Sequence, residues 1–250
     1  MTFSVIGVPI DSVGRSGGTE RAPAALRAMG LIDAIDGSDA GDLDVRIRGE
    51  ERDPDTGIVG SADVMIATLG IRQAVDSSIR AGSRPFLAGG CCAELPGALA
   101  GARDAVGRLG LAYFDGHLDL YDGVTSPTGE AADMPVAAAL GLGPQAWVQA
   151  AGGPSISADD TAIVGYRDLE QSLADGMIDP DSLEGLTHVD VEAVRSRGPG
   201  AVGIETERAL SRTPGRFWLH LDVDVLDETV FPATDYLFSG GMEWSELLDV

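Results

Sequence analysis

Leu111-Ala112-Tyr113-Phe114-Asp115-Gly116-His117-Leu118-Asp119 is an apolar run that ends in carboxylates and an imidazole at every second position. Its four leading residues suit a strand covered on both faces, and Asp115 marks where such a strand must leave the core. Phe217-Trp218-Leu219-His220-Leu221-Asp222-Val223-Asp224 has the same form much later in the chain. Side chains alternate across a strand, so Asp115, His117 and Asp119 can share one face where extended geometry persists, as can Asp222 and Asp224. Carboxylates crowded at two strand tips repel one another unless a positive charge sits among them. A pair of divalent metal ions answers that need.

Working outward, short apolar strand-like runs fall at 2–8, 43–48, 84–88, 110–115, 161–165, 187–191 and 216–222. Helical patterns lie between them, near 22–35, 61–81, 93–107, 133–142, 168–176, 191–196 and 203–212. That alternation predicts one doubly wound α/β domain spanning 1–250, with a mainly parallel sheet. No repeat or linker divides the chain, and the segments 50–60 and 149–160 read as surface loops. In such sheets ligands bind beyond the carboxyl ends of the strands, where both acidic clusters fall. A third strand end, Arg84-Pro85-Phe86-Leu87-Ala88-Gly89-Gly90-Cys91-Cys92, joins them as a candidate ligand-bearing turn.

Composition narrows the function classes. A chain of 250 residues, 44% hydrophobic, can bury a sizeable core as a soluble globular protein. No apolar run reaches the length of a membrane span, and Met1–Ile10 reads as a first strand, not a leader. Net charge is −23, with 40 acidic against 17 basic residues, so no basic stripe exists to bind nucleic acid or an anionic membrane. The two cysteines are sequence neighbours, a poor geometry for a structural disulfide, which fits a reducing cytoplasm. Gly14–Gly18 has neither the dinucleotide spacing nor the lysine of a phosphate loop, so nucleotide binding is rejected.

These segments together resemble the signature regions of the ureohydrolases, the arginase and agmatinase superfamily. The family's Gly-Gly-Asp-His-Ser, Asp-Ala-His-x-Asp and Ser-x-Asp-x-Asp-x-x-Asp-Pro are matched by Gly89–Ala93, Asp115–Asp119 and His220–Asp227. Gly7–Ile10, Gly17–Arg27 and Val164-Gly165-Tyr166-Arg167-Asp168 are similar to further family segments in the right order. The resemblance implies a three-layer α/β/α fold and a centre of two divalent ions, Mn²⁺ foremost. Asp115 and Asp222 would bridge the ions, Asp119 would complete one, and His117 and Asp224 the other, with Cys92 at the place of a further ligand. His117 and Asp119 would stand at the reaction centre, where a metal-bridging hydroxide attacks a guanidinium carbon. Glu170 and the Thr128-Gly129-Glu130 loop would contact the far end of the substrate. The resemblance further implies a small guanidino substrate and a homo-oligomer, a trimer or hexamer.

Departures from the pattern sharpen the reading. The family's histidine ligand falls on Cys92 and its neighbouring aspartate on Cys91. A thiolate is softer and opens the site to Zn²⁺ or Fe²⁺, whereas a protonated thiol is only a small buried hydrophobe. The family's proton-shuttling histidine aligns with Ala132, leaving Glu130 or Asp133 as substitutes. The sequence ends within the segment that matches the family's penultimate helix, so the last strand, with a guanidinium-binding glutamate, and the last helix are expected to be missing. Cysteine at this ligand position also resembles a subgroup that hydrolyses Nω-hydroxyarginine to hydroxyurea and ornithine, and a hydroxyguanidine has a lower pKa than a guanidine.

The expected function is therefore hydrolysis of a linear amidine C–N bond in a guanidino compound. The alternative is a catalytically impaired relative serving as a binding or structural subunit. His220 precedes the ligand pair by two and either supports a ligand or is a satisfied core histidine. His188 reads as structural.

Overall fold

The structure, a computed structural model, describes residues 2–13, 18–213 and 216–250. The glycine stretch read at 14–18 therefore lies, over 14–17, outside the described residues. Contacts divide the chain into two compact units, 1–107 with 121–155 and 108–120 with 156–250.

The first unit carries β1 (Phe3–Val8), α1 (Ala22–Ala28), α2 (Leu31–Ala34), β2 (Ser38–Asp42), α3 (Ser61–Arg80), β3 (Arg84–Gly89), α4 (Leu95–Val106), α5 (Pro135–Leu140) and α6 (Gln145–Ala150). Its strands pair in parallel in the order β2-β1-β3. Along α3, Val64, Ala67, Thr68, Ile71 and Val75 are buried, a spacing of three and four that marks one helical face. Thr68 donates to the carbonyl of Val64 and accepts from the indole N–H of the fully buried Trp147 at 2.8 Å, so α6 is keyed to that face.

The second unit carries β4 (Gly110–Phe114), β5 (Thr161–Tyr166), α7 (Leu169–Ala174), β6 (Thr187–Asp190), α8 (Val191–Arg197), α9 (Pro199–Leu210), β7 (Phe217–Leu221) and α10 (Trp244–Asp249). Its parallel sheet runs β6-β5-β4-β7. The central strands β4 and β5 are buried almost end to end, as continuous apolar runs in a parallel sheet should be. Val164, Val189, Val194, Val202, Val225 and Met242 form the core on one side.

The α/β reading with parallel sheets stands, and most strand positions with it. One strand is corrected: the run 43–48 is irregular, and β2 is the polar Ser38–Asp42. Val45 and Ile47 are buried without joining a ladder, so apolar burial rather than strand pairing explains that run. The helix read at 22–35 breaks at Gly30, whose φ of +89° ends α1 before α2 begins. The helix read from 203 starts at Pro199, which suits the first helical turn because it needs no N–H partner. Helix α6 was not anticipated.

Asp160, buried just ahead of β5, accepts a two-pronged ion pair from Arg108 at 2.6 and 2.8 Å and a hydroxyl from Ser157. Arg108 stands two residues before β4, so this pair ties the starts of the two central strands. The Arg108 guanidinium holds the Asp160 carboxyl below the usual range, against the opposing effect of burial. A carboxylate whose folded pKa is lowered contributes stability that is complete above its unfolded pKa, near 3.9, and is lost as pH falls through the folded value. Asp160→Asn is expected to cost about 1–2 kcal/mol near pH 7, the lower range reflecting Arg108's exposure. Urea melts should show that difference shrinking below about pH 4; a difference independent of pH would contradict this account.

Candidate metal centre

The register of β4 and β7 builds the site. Phe114 pairs with Leu221, and the Asp222 N–H donates to the Phe114 carbonyl at 2.8 Å. Asp115 and Asp222 thus leave the sheet level with each other, each immediately beyond its strand. Extended geometry does not persist past that point. Asp115 accepts the His117 N–H at 2.8 Å, and Asp222 accepts the Asp224 N–H at 2.8 Å within the turn 223–225. Short aspartate side chains that capture the backbone two residues on turn the chain instead of continuing it. The expectation that Asp115, His117 and Asp119 share a strand face, and Asp222 with Asp224, is therefore corrected. The turns, not the alternation, set these side chains.

Those turns bring Asp115, His117 and Asp224 together, with ligand-capable atoms within 4.8 Å of one another. His117 Nδ1 lies 3.0 Å from Asp224 Oδ2 and 3.5 Å from Asp115 Oδ1. Burial, with Asp224 and Asp222 nearby, raises the Asp115 carboxyl well above the usual range. Burial opposes charge on His117, but the two carboxylates outweigh it and raise the imidazole well above its ordinary value. Asp224 is held low despite its burial by His117, by the Gly116 N–H at 2.9 Å and by Arg167.

Arg167 organises this corner. Its Nη2 donates to the carbonyls of Asp224 and Phe238, at 2.7 and 2.8 Å, and its guanidinium lies 4.7 Å over the Phe238 ring. Phe238 in turn stacks along His117, with ring centroids 6.2 Å apart. Space at Gly116 is tight, since a Cβ there would meet Arg167 Nη1 at 2.4 Å and the Asp224 carbonyl at 2.9 Å. Burial lowers the Arg167 pKa against the pull of Asp224. Beside it opens a cleft of about 260 Å³ lined by Tyr166, Arg167, Glu170, Asp190, Glu192 and Phe238. Glu170, expected at the substrate, is an exposed side chain in the first turn of α7 on this cleft.

Asp119 is buried with a positive φ of +52° and accepts the Tyr113 hydroxyl at 2.5 Å. Tyr113 stacks on His220, with centroids 4.7 Å apart and planes 12° from parallel. His220 is also buried, and burial depresses its pKa to about 4, which keeps the ring neutral. Its Nε2 has no hydrogen-bond partner, so it is not the satisfied core histidine weighed from the sequence. His188 does read as structural, between the Tyr166 hydroxyl and Asp181. Asp227 binds the backbone and hydroxyl of Thr229 and the Gly240 N–H, holding the loop that delivers Phe238.

The remaining candidates belong to the first unit. Cys92 is buried at the start of the turn 92–94 after β3, and burial pushes the neighbouring Cys91 thiol up to about 12. Glu130 caps the turn 131–133, its N–H donating to Thr128. Asp133 accepts hydroxyls from Ser126 and Thr128, which makes it a brace of that loop. Ala132 has no side chain able to move a proton.

Carboxylates and imidazoles within reach of one another are the donor set for a borderline or hard divalent cation, and a neutral buried nitrogen lacking a partner fits the same group. The sequence missed Arg167, Tyr113 and Phe238 as supports. Tyr113 carried a signal, since it stands two before Asp115 in the same run; Phe238 carried none.

The model of the Arginase family matches residues 1–250. The chain is 29% identical to the arginase of Bacillus caldovelox, over 98% of this chain and 83% of that one. It is 30% identical to the arginase of Bacillus subtilis, over 98% and 82%. The native structure of the Bacillus caldovelox enzyme superposes with a TM-score of 0.86 over 98% of this chain and 83% of that one, at 28% identity. Arginase from Bacillus cereus superposes equally, with a TM-score of 0.86 over 98% and 82%, at 29% identity. The chain belongs to the arginase family.

Proposed function

We propose that this protein is a metal-dependent hydrolase that cleaves a linear amidine C–N bond in a guanidino compound. The observation that carries this reading is the cluster of Asp115, His117 and Asp224 beyond two neighbouring strands, in a chain of the arginase family. Asp115, His117, Asp119, Asp222 and Asp224 would hold two divalent ions, with Cys92 added by its place in the family pattern. Mn²⁺ suits the oxygen-rich set best. Bound cations supply the charge that makes water a nucleophile at neutral pH and steadies developing negative charge.

The chain's own residues supply position. Arg167 fixes the Asp224 backbone, Phe238 covers one side of His117, and Tyr113 orients Asp119. Glu170 and Glu130 are proposed to bind the substrate, whose guanidinium complements the acidic site. The relatives' name points to arginine. Cysteine at 92 and alanine at 132 favour a second reading, a hydroxyguanidine substrate, which is less basic than a guanidine. We place the enzyme in the cytoplasm, as a homo-oligomer.

Two experiments test this function. Mn²⁺ titration with elemental analysis should give two equivalents per chain, and Asp115→Asn or Asp224→Asn should weaken binding about 100-fold or more, beyond what loss of a supporting residue costs. Less than one equivalent of any divalent metal would sink the enzyme reading and favour a binding subunit. Assays of arginine, hydroxyarginine and agmatine, following urea or hydroxyurea, should show turnover of at least one. Cys92→His should raise Mn²⁺ affinity, because imidazole suits that ion better than thiolate does; unchanged affinity and activity would remove Cys92 from the ligand set.

A further inference from the structure

His220 sits on β7 two residues before Asp222, and only 7% of it is exposed. Its Nε2 makes no hydrogen bond. A lone pair or an N–H left so in the interior asks for a partner. One ring nitrogen of His220 and one carboxylate oxygen of Asp115 lie within 4.8 Å of each other. Two ligands of one ion, each about 2.1 Å from it, stand about 3–4 Å apart, so a cation fits between them with little adjustment.

The surroundings hold the imidazole in place for that role. Tyr113 stacks nearly parallel on the ring, which fixes its plane. The same tyrosine donates to Asp119, so one aromatic side chain orients two buried candidate donors. Asp115 is also the carboxylate that joins His117 and Asp224 in the trio already described.

We propose that His220 is a metal ligand: its Nε2 coordinates a second divalent cation, which shares Asp115 with the cation held by His117 and Asp224. The proposal rests on the metal-centre reading above and adds a ligand to it. The occupant is a divalent ion that accepts mixed nitrogen and oxygen donors, and the imidazole raises the site's preference for Zn²⁺, Co²⁺ or Mn²⁺ over Mg²⁺.

The chain has only three histidines, which makes the test direct. Protein labelled with ¹⁵N-histidine is titrated with Zn²⁺ alone, and long-range ¹H–¹⁵N spectra follow the rings of His117, His188 and His220. The expected result is metal-bound nitrogen shifts for His117 and His220, no change for His188, and two equivalents bound. In His220→Ala, one equivalent should keep its affinity and the other should weaken ten-fold or more, with His220→Gln intermediate. Circular dichroism of the metal-free variants checks folding; if a variant does not fold, the wild-type spectra decide. His220 signals unmoved at saturation, or both equivalents retained at unchanged Kd in His220→Ala, would overturn the proposal and leave the proposed function standing. No Zn²⁺ binding by the wild type would overturn both.

Discussion

Asp115 and Asp224 approach one imidazole from two strand ends, and the rest of the second unit is arranged around that conflict of charge. Two carboxylates this buried cannot both ionise cheaply, and both bear on His117 between them, raising its imidazole well above the ordinary value against the effect of burial. The parallel register of β4 and β7 creates the conflict, because pairing Phe114 with Leu221 leaves both acidic turns at one level.

Holding the turns requires more than the sheet. Arg167 reaches from the end of β5 to the Asp224 and Phe238 carbonyls, and its own N–H donates to the Gly116 carbonyl at 3.0 Å. One residue therefore pins three segments beyond the strand ends. Its close approach narrows the space at 116. Tyr113 performs the matching task from inside the sheet, orienting Asp119 through its hydroxyl and His220 through its ring. Positive φ at Asp119 is the local strain that this arrangement sustains.

Much of this was legible before any coordinates. Strands β1, β3, β4, β5 and β7 are apolar runs with clear ends, and they lie within a residue or so of their expected places. β2 was illegible because Ser38–Asp42 has no strand character in its side chains; it is recruited by backbone pairing with β1 and by Arg27 bonding to Asp39 and Asp42. The expected strand at 43–48 failed for the converse reason, since Val45 and Ile47 are buried without pairing. Apolar content reports burial, and ladder formation depends on a neighbour that sequence does not display.

The candidate site divides along the same line. The amino-acid sequence by itself determined the donor types, their places beyond apolar strands and the family they resemble, because buried carboxylates after core strands have few chemical uses. Tertiary structure alone decided which donors meet. Aspartate turns replaced strand alternation, so His117 joined Asp115 and Asp224 while Asp119 turned to Tyr113. It alone also showed His220 buried and without a partner, since whether a histidine is satisfied depends on what packs around it and not on its neighbours in the chain.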